Sequence, residues 1–96
     1  MNHDKTANRL ARKFRSTYRR RGVDILSQGR AIEVAVTLGD LYQSVKQLRR
    51  SRAPKKYLAV PSYLLPKARK LLKGSGIGIM NTKGRIIKKC RKRRSN

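Results

Sequence analysis

Four consecutive apolar residues, Tyr57-Leu58-Ala59-Val60, constrain the fold of this chain more than any other segment. A half-exposed strand alternates apolar and polar side chains, whereas an unbroken run of this kind suits a strand covered on both faces. Such a strand needs a layer on each side, and helical patterns flank it. Upstream, Leu41, Val45 and Leu48 recur at helical spacing from about Asp40, a plausible N-cap, to Arg50. Ser51 to Lys56 is a basic loop containing Pro54. Downstream, Ser62 to Lys73 carries Leu64, Leu65, Ala68, Leu71 and Leu72, with Pro66 in the first turn and Gly74 at the close. Nearer the N-terminus, Ala7, Leu10, Ala11, Phe14 and Tyr18 form the narrow apolar stripe of a first helix that stops at Gly22. Val23 to Ser27 and Arg30 to Leu38 read as strands around Gln28-Gly29, a two-residue hairpin turn in which glycine supplies the positive φ. Ile77 to Met80 and Arg85 to Lys89 are the final strands, joined by an Asn81-to-Gly84 turn.

The order helix, strand, strand, helix, strand, helix, strand, strand predicts an α/β fold. It is a small three-layer sandwich on a mixed sheet, with right-handed strand–helix–strand crossovers. Residues 1–88 form one domain, and 89–96 form a basic tail that cannot fold by itself.

Charge decides the class of partner. The chain has 27 Lys and Arg against four Asp and Glu, a formal net charge of +23 over 96 residues. Self-repulsion on that scale strongly favours a polyanionic partner. No apolar run approaches the roughly 20 residues of a spanning helix, so no membrane partner is expected. The N-terminal stretch is charged and amphipathic, without the apolar core of a secretory signal, and shares its basic, acid-poor character with organelle transit peptides. A single cysteine, Cys90, leaves no intramolecular disulfide and fits a reducing interior compartment.

The cations lie on every element. Arg9, Arg12, Lys13 and Arg15 line the first helix, which ends in the run Arg19, Arg20 and Arg21. Arg49, Arg50 and Arg52 with Lys55 and Lys56 form a second cluster. Lys88, Lys89, Arg91, Lys92, Arg93 and Arg94 form a third. A duplex binder concentrates charge on one face or arm, whereas charge on all sides suits a protein embedded in folded RNA. There the planar fork of Arg bonds phosphate in bidentate fashion and stacks on bases. Tyr18, Tyr42, Tyr57 and Tyr63 are candidate stacking residues, with Tyr57 also placed to be core and the other three to be ordinary surface residues.

Two of the four acids, Asp24 and Glu33, fall opposite each other if Gln28 and Gly29 form the loop. Opposed side chains on a hairpin have Cβ atoms about 5 Å apart, close enough to share one hard cation such as Mg²⁺. The segment from Gly29 through the GSGIGIM motif, with the first helix, resembles the PD-(D/E)xK, or restriction-endonuclease-like, nucleases over roughly residues 7 to 88. That resemblance implies a D…ExK hairpin in which Asp24 and Glu33 are the acids, and a helix glutamine at Gln47. Ala35 stands where the family has its lysine. A methyl group neither activates water nor stabilises charge developing on phosphate, while Lys46 offers a substitute from the second helix. Asp24, Glu33 and Gln47 are therefore expected to be vestigial, the two acids ion-paired on an exposed hairpin face, and no cofactor is expected. Mg²⁺ enters only if a minimal nuclease or resolvase survives. The shorter run ILSQGRAIEVAV is also similar to the strand-to-helix segment of Alba-type chromatin proteins.

Two functions follow as expectations. The first is a structural RNA-binding protein, a ribosomal protein of a lineage-restricted, archaeal type. It would be cytoplasmic and ribosome-associated, contacting rRNA and neighbouring ribosomal proteins, with the large subunit favoured. The alternative is a DNA-binding protein or metal-dependent nuclease.

Overall fold

The computed structural model describes residues 3–13, 25–27 and 29–91 of the chain. Helix α1 (His3–Lys13) is followed by strands β1 (Ile25–Ser27) and β2 (Arg30–Val34), helix α2 (Leu38–Arg50) and strand β3 (Lys55–Ala59). A single 3₁₀ turn (Ser62–Leu64) leads into helix α3 (Leu65–Leu72), and strands β4 (Gly78–Met80) and β5 (Ile86–Lys88) complete the fold. The strands form one mixed sheet in the order β1-β2-β3-β4-β5. The central pairs β2/β3 and β3/β4 are parallel, and both edge pairs are antiparallel. The expected element order is present.

β3 is the centre of the sheet, and its apolar run divides between two cores. Tyr57 and Ala59 join Ala7, Leu10, Ala11, Ile32, Val34 and Met80 beneath α1. Leu58 and Val60 join Ala31, Ala35, Leu41, Leu48, Ala68 and Leu72 beneath α2 and α3. Period-two alternation on a doubly covered strand produces this division. The result is three layers: α1, the sheet, then α2 with α3.

Several local boundaries differ from the expected ones. β2 ends at Val34 rather than Leu38, because Thr37 caps α2. The Thr37 hydroxyl accepts from the Asp40 N–H at 3.1 Å, and the Asp40 carboxylate accepts from the Val36 N–H at 3.4 Å. Thr37 is therefore the N-cap, and Asp40, in the first turn, ties the preceding residue Val36 to the helix start. β3 starts at Lys55, so Lys55 and Lys56 belong to the sheet rather than to the preceding loop. Pro66 sits in the first turn of α3, as expected. Arg30–Val34 is strand, where the Alba-type likeness implies helix; β-branched Ile32 and Val34 suit the sheet. Gly29 holds φ 74° at the hairpin turn.

The residues after β5 turn back onto the domain. The Arg91 N–H donates to the Gly76 carbonyl at 2.8 Å, and the Cys90 N–H donates to the Tyr57 hydroxyl oxygen at 3.4 Å. The expected tail thus begins pinned to the domain, and residues 92–96 lie outside the described residues. Burial pushes the Tyr57 phenol above its ordinary value of 10.0, so the ring is neutral at any physiological pH.

Gly78 lies against this contact. A methyl group there would meet the Cys90 backbone nitrogen at 2.7 Å and the Tyr57 ring closer still. Replacing Gly78 by Ala should cost about 1–3 kcal/mol, the usual penalty of overpacking, read as a lowered midpoint in urea. An unchanged midpoint would show that Tyr57 and the post-β5 chain are not packed against this strand.

Candidate nucleic-acid interface

β2-α2-β3 and β3-α3-β4 are both crossover units between parallel strands, so α2 and α3 run the same way, antiparallel to those strands. Their C-termini therefore meet at one end of the sheet, where β3 and β4 begin. A cleft of about 530 Å³ opens there, walled by Pro54 from the α2–β3 loop and by Gly74 to Ile77 from the α3–β4 loop. Arg49 from the last turn of α2, Lys56 from the start of β3 and Arg91 from beyond β5 line it, and no lining residue is acidic. Arg30 and Lys55 pair side by side on β2 and β3 at the same end.

Open α/β sheets commonly hold ligands beyond the carboxyl ends of their strands, where helix N-termini supply positive potential. This cleft lies at the opposite end. Two helix C-termini contribute about half a negative charge each. Arg49 and Arg50 in the last turn of α2, with Arg69 and Lys70 in that of α3, more than offset them. Complementing the dipoles thus accounts for part of the cationic surface, and Lys56 and Arg91 add to the excess. What the arrangement can do is hold phosphates through side chains, which gives affinity without base readout.

The expected RNA-contacting residues are distributed as follows. Arg49, Lys56 and Arg91 converge on the cleft, so members of the second and third sequence clusters meet there. Arg50 and Arg52 are exposed close by in sequence, Lys55 is half-buried, and Lys88 and Lys89 are exposed on and just after β5. Arg9, Arg12 and Lys13 are exposed on α1, across the sheet from the cleft; the Lys13 ammonium donates to the Lys83 carbonyl at 2.9 Å. Arg15, Arg19, Arg20, Arg21, Lys92, Arg93 and Arg94 lie outside the described residues, as does Tyr18. Sequence reasoning missed the Gly74–Ile77 wall. The crossover rule could have found it, because it places the α3–β4 loop beside the α2–β3 loop.

The acidic pair has a different setting from the one expected. β2 pairs with β1 as Ser27↔Arg30, Leu26↔Ala31 and Ile25↔Ile32, the expected hairpin register; Asp24 lies outside the described residues. Glu33 is not on an exposed face. It is 4% exposed, between Ala31 and Ala35 on the side of β2 that α2 covers, with Leu58 as its neighbour on β3. The crossover helix is the cause: a β2-α2-β3 unit roofs the face on which an isolated hairpin would display its acids. Ser44 of α2 packs against β2 there, its hydroxyl donating to the Val34 carbonyl at 3.3 Å. Gln47, one turn along, is half-buried, and Lys46 points outward, exposed. Among the described residues, no buried side-chain nitrogen or oxygen lacks a hydrogen-bond partner. Nor do three of His, Cys, Asp and Glu come together among them.

No protein-family model matches the chain, and comparison with curated proteins and with solved structures finds no match. No helix among the described residues is long and apolar enough to cross a membrane.

Ala35, where the resemblance to nucleases would put a lysine, is fully buried in the core under α2 and α3. A lysine there has to seat a charge among Leu41, Leu58 and Val60. Ala35→Lys should therefore destabilise the fold by about 3 kcal/mol or more, measured by chemical denaturation, rather than restore a metal site. A variant as stable as the parent, with new Mg²⁺ affinity, would show that the Ala35 side of β2 opens to solvent.

Proposed function

We propose that this is a structural RNA-binding protein. It is read as a ribosomal protein of a lineage-restricted, archaeal type, favouring the large subunit, that neutralises and clamps rRNA phosphates. The observation that carries this reading is the cleft lined by Arg49, Lys56 and Arg91. Segments far apart in sequence deliver cations to one concave site without an acid, in a chain whose net charge is +23. Further cations on α1, across the sheet, support a partner that surrounds the protein, as folded RNA does and a single duplex face does not. The order of elements supports the likeness to the PD-(D/E)xK nucleases. The burial of Glu33 and Ala35 beneath α2 supports a binding rather than a cleaving role.

Two measurements test it. In a sucrose gradient of the source lysate, the protein should travel with one ribosomal subunit and be released only by RNase. Remaining at the top would end the ribosomal reading, and following DNA would replace it with the DNA-binding one. In vitro, affinity for structured rRNA fragments should fall steeply with salt, each phosphate contact contributing about 0.7–0.9 to the slope of log K against log salt. Replacing Arg49, Lys56 and Arg91 together by Ala should flatten that slope by about two units while leaving circular dichroism unchanged. An unaltered slope would remove the cleft as the phosphate site.

A further inference from the structure

At the end of the helical layer opposite the cleft, the most exposed large apolar side chains of the described residues lie close together in the fold. Leu38 (49% exposed) and Tyr42 (50%) stand one turn apart on α2. Tyr63 (63% exposed) sits in the turn that opens α3. Its hydroxyl donates to the Val36 carbonyl, two residues before Leu38. That bond holds the phenol tip on the segment leading into α2 while most of the ring stays in water.

Single exposed apolar residues are ordinary on a protein surface. Four features separate these tyrosines from that background. They share one end of one layer. Each is followed four residues later by an exposed lysine, Lys46 after Tyr42 and Lys67 after Tyr63. On α2, spacing of four, four and three places Leu38, Tyr42, Lys46 and Arg49 along one stripe, and that stripe ends at the cleft. Every exposed charged residue on α2 and α3 is a cation. From Tyr42 to Arg49 is about 10 Å along the helix axis, a span that a few nucleotides of extended strand cover.

Aromatic faces followed by a cationic track are the two components of a single-strand binding surface: bases stack on rings of any sequence preference, and phosphates follow the charge. We infer that a single-stranded RNA segment crosses the outer face of α2 and α3, its bases stacked on Tyr42 and Tyr63 and its phosphates running past Lys46 and Lys67 into the cleft of Arg49, Lys56 and Arg91. This rests on the RNA-binding reading above and adds to it the single-stranded character of the ligand and the stacking residues. Charge complementarity selects the occupant. A protein partner would have to be strongly acidic across the whole face, whereas RNA supplies both the rings and the phosphates.

The test compares a labelled twelve-nucleotide oligouridine with a blunt RNA duplex, by fluorescence anisotropy at fixed salt. The variants are Tyr42→Leu, Tyr63→Leu, the double change and Tyr63→Phe, each checked by circular dichroism. Leucine keeps apolar area and removes the π-face. A stacked base lost should weaken oligouridine binding by about tenfold, so each single variant loses on that order and the double variant more. Duplex affinity and the salt slope should stay as in the parent. Tyr63→Phe keeps the ring and should bind oligouridine within about threefold of the parent. If Tyr63→Leu does not fold, Tyr42→Leu alone decides.

Oligouridine affinity unchanged in the leucine variants overturns the inference and gives the tyrosines to a protein partner, while duplex binding through the cleft still upholds the RNA reading. Equal loss on oligouridine and duplex also overturns it. A parent protein that binds neither RNA overturns the proposed function itself, and the inference with it.

Discussion

Both cores close on strand β3, and the rest of the molecule is arranged around that condition. Tyr57 and Ala59 face α1, while Leu58 and Val60 face α2 and α3. In a chain where hydrophobic residues make up only 38%, there is little apolar material to spare. One doubly covered run uses it efficiently, since each of the side chains Tyr57 to Val60 serves a core. Burial of this kind is the main favourable term in folding, and here it has to offset the repulsion of an unusual positive charge. Helices at both faces then determine which surfaces are left for a ligand.

The crossover connections have two consequences of opposite kind. They bring the α2–β3 and α3–β4 loops together, so that Arg49 and Lys56 gather at one cleft, where the antiparallel return of β5 adds Arg91. They also place α2 over the face of β2 that carries Glu33 and Ala35. The same geometric rule thus assembles a cationic site at the sheet's end and closes off the acid at its middle. Concentrating like charge is tolerable at an exposed cleft, where water and counterions screen it, and costly in an interior.

How much could be read in advance varied by element in a physically consistent way. The parallel core strands and the three helices were legible because their signals are local: periodicity in Leu41-Val45-Leu48, a continuous run at Tyr57–Val60, glycine at the hairpin turn. The start of α2 is not legible in advance because Thr37 and Asp40 are both residue types that cap helices, and only the bond from the Asp40 N–H to the Thr37 hydroxyl distinguishes their roles. The burial of Glu33 was misjudged because alternation within a hairpin reports which residues share a face, not what lies over that face. The tyrosines were legible from their neighbours: Tyr57, inside the continuous apolar run, is buried, whereas Tyr42 and Tyr63 are exposed.

By itself the sequence determined the excess of positive charge, the order of the elements and the need for three layers. Net charge, helical period and an unbroken apolar run are properties of the chain that folding cannot change. The tertiary structure alone decided where those charges meet. Arg49 and Lys56 share a site with the Gly74–Ile77 loop because crossovers between parallel strands return the chain to the same end of the sheet, and antiparallel β5 brings Arg91 back to it. The identical rule hides Glu33, because a helix that joins two parallel strands must cross the face between them.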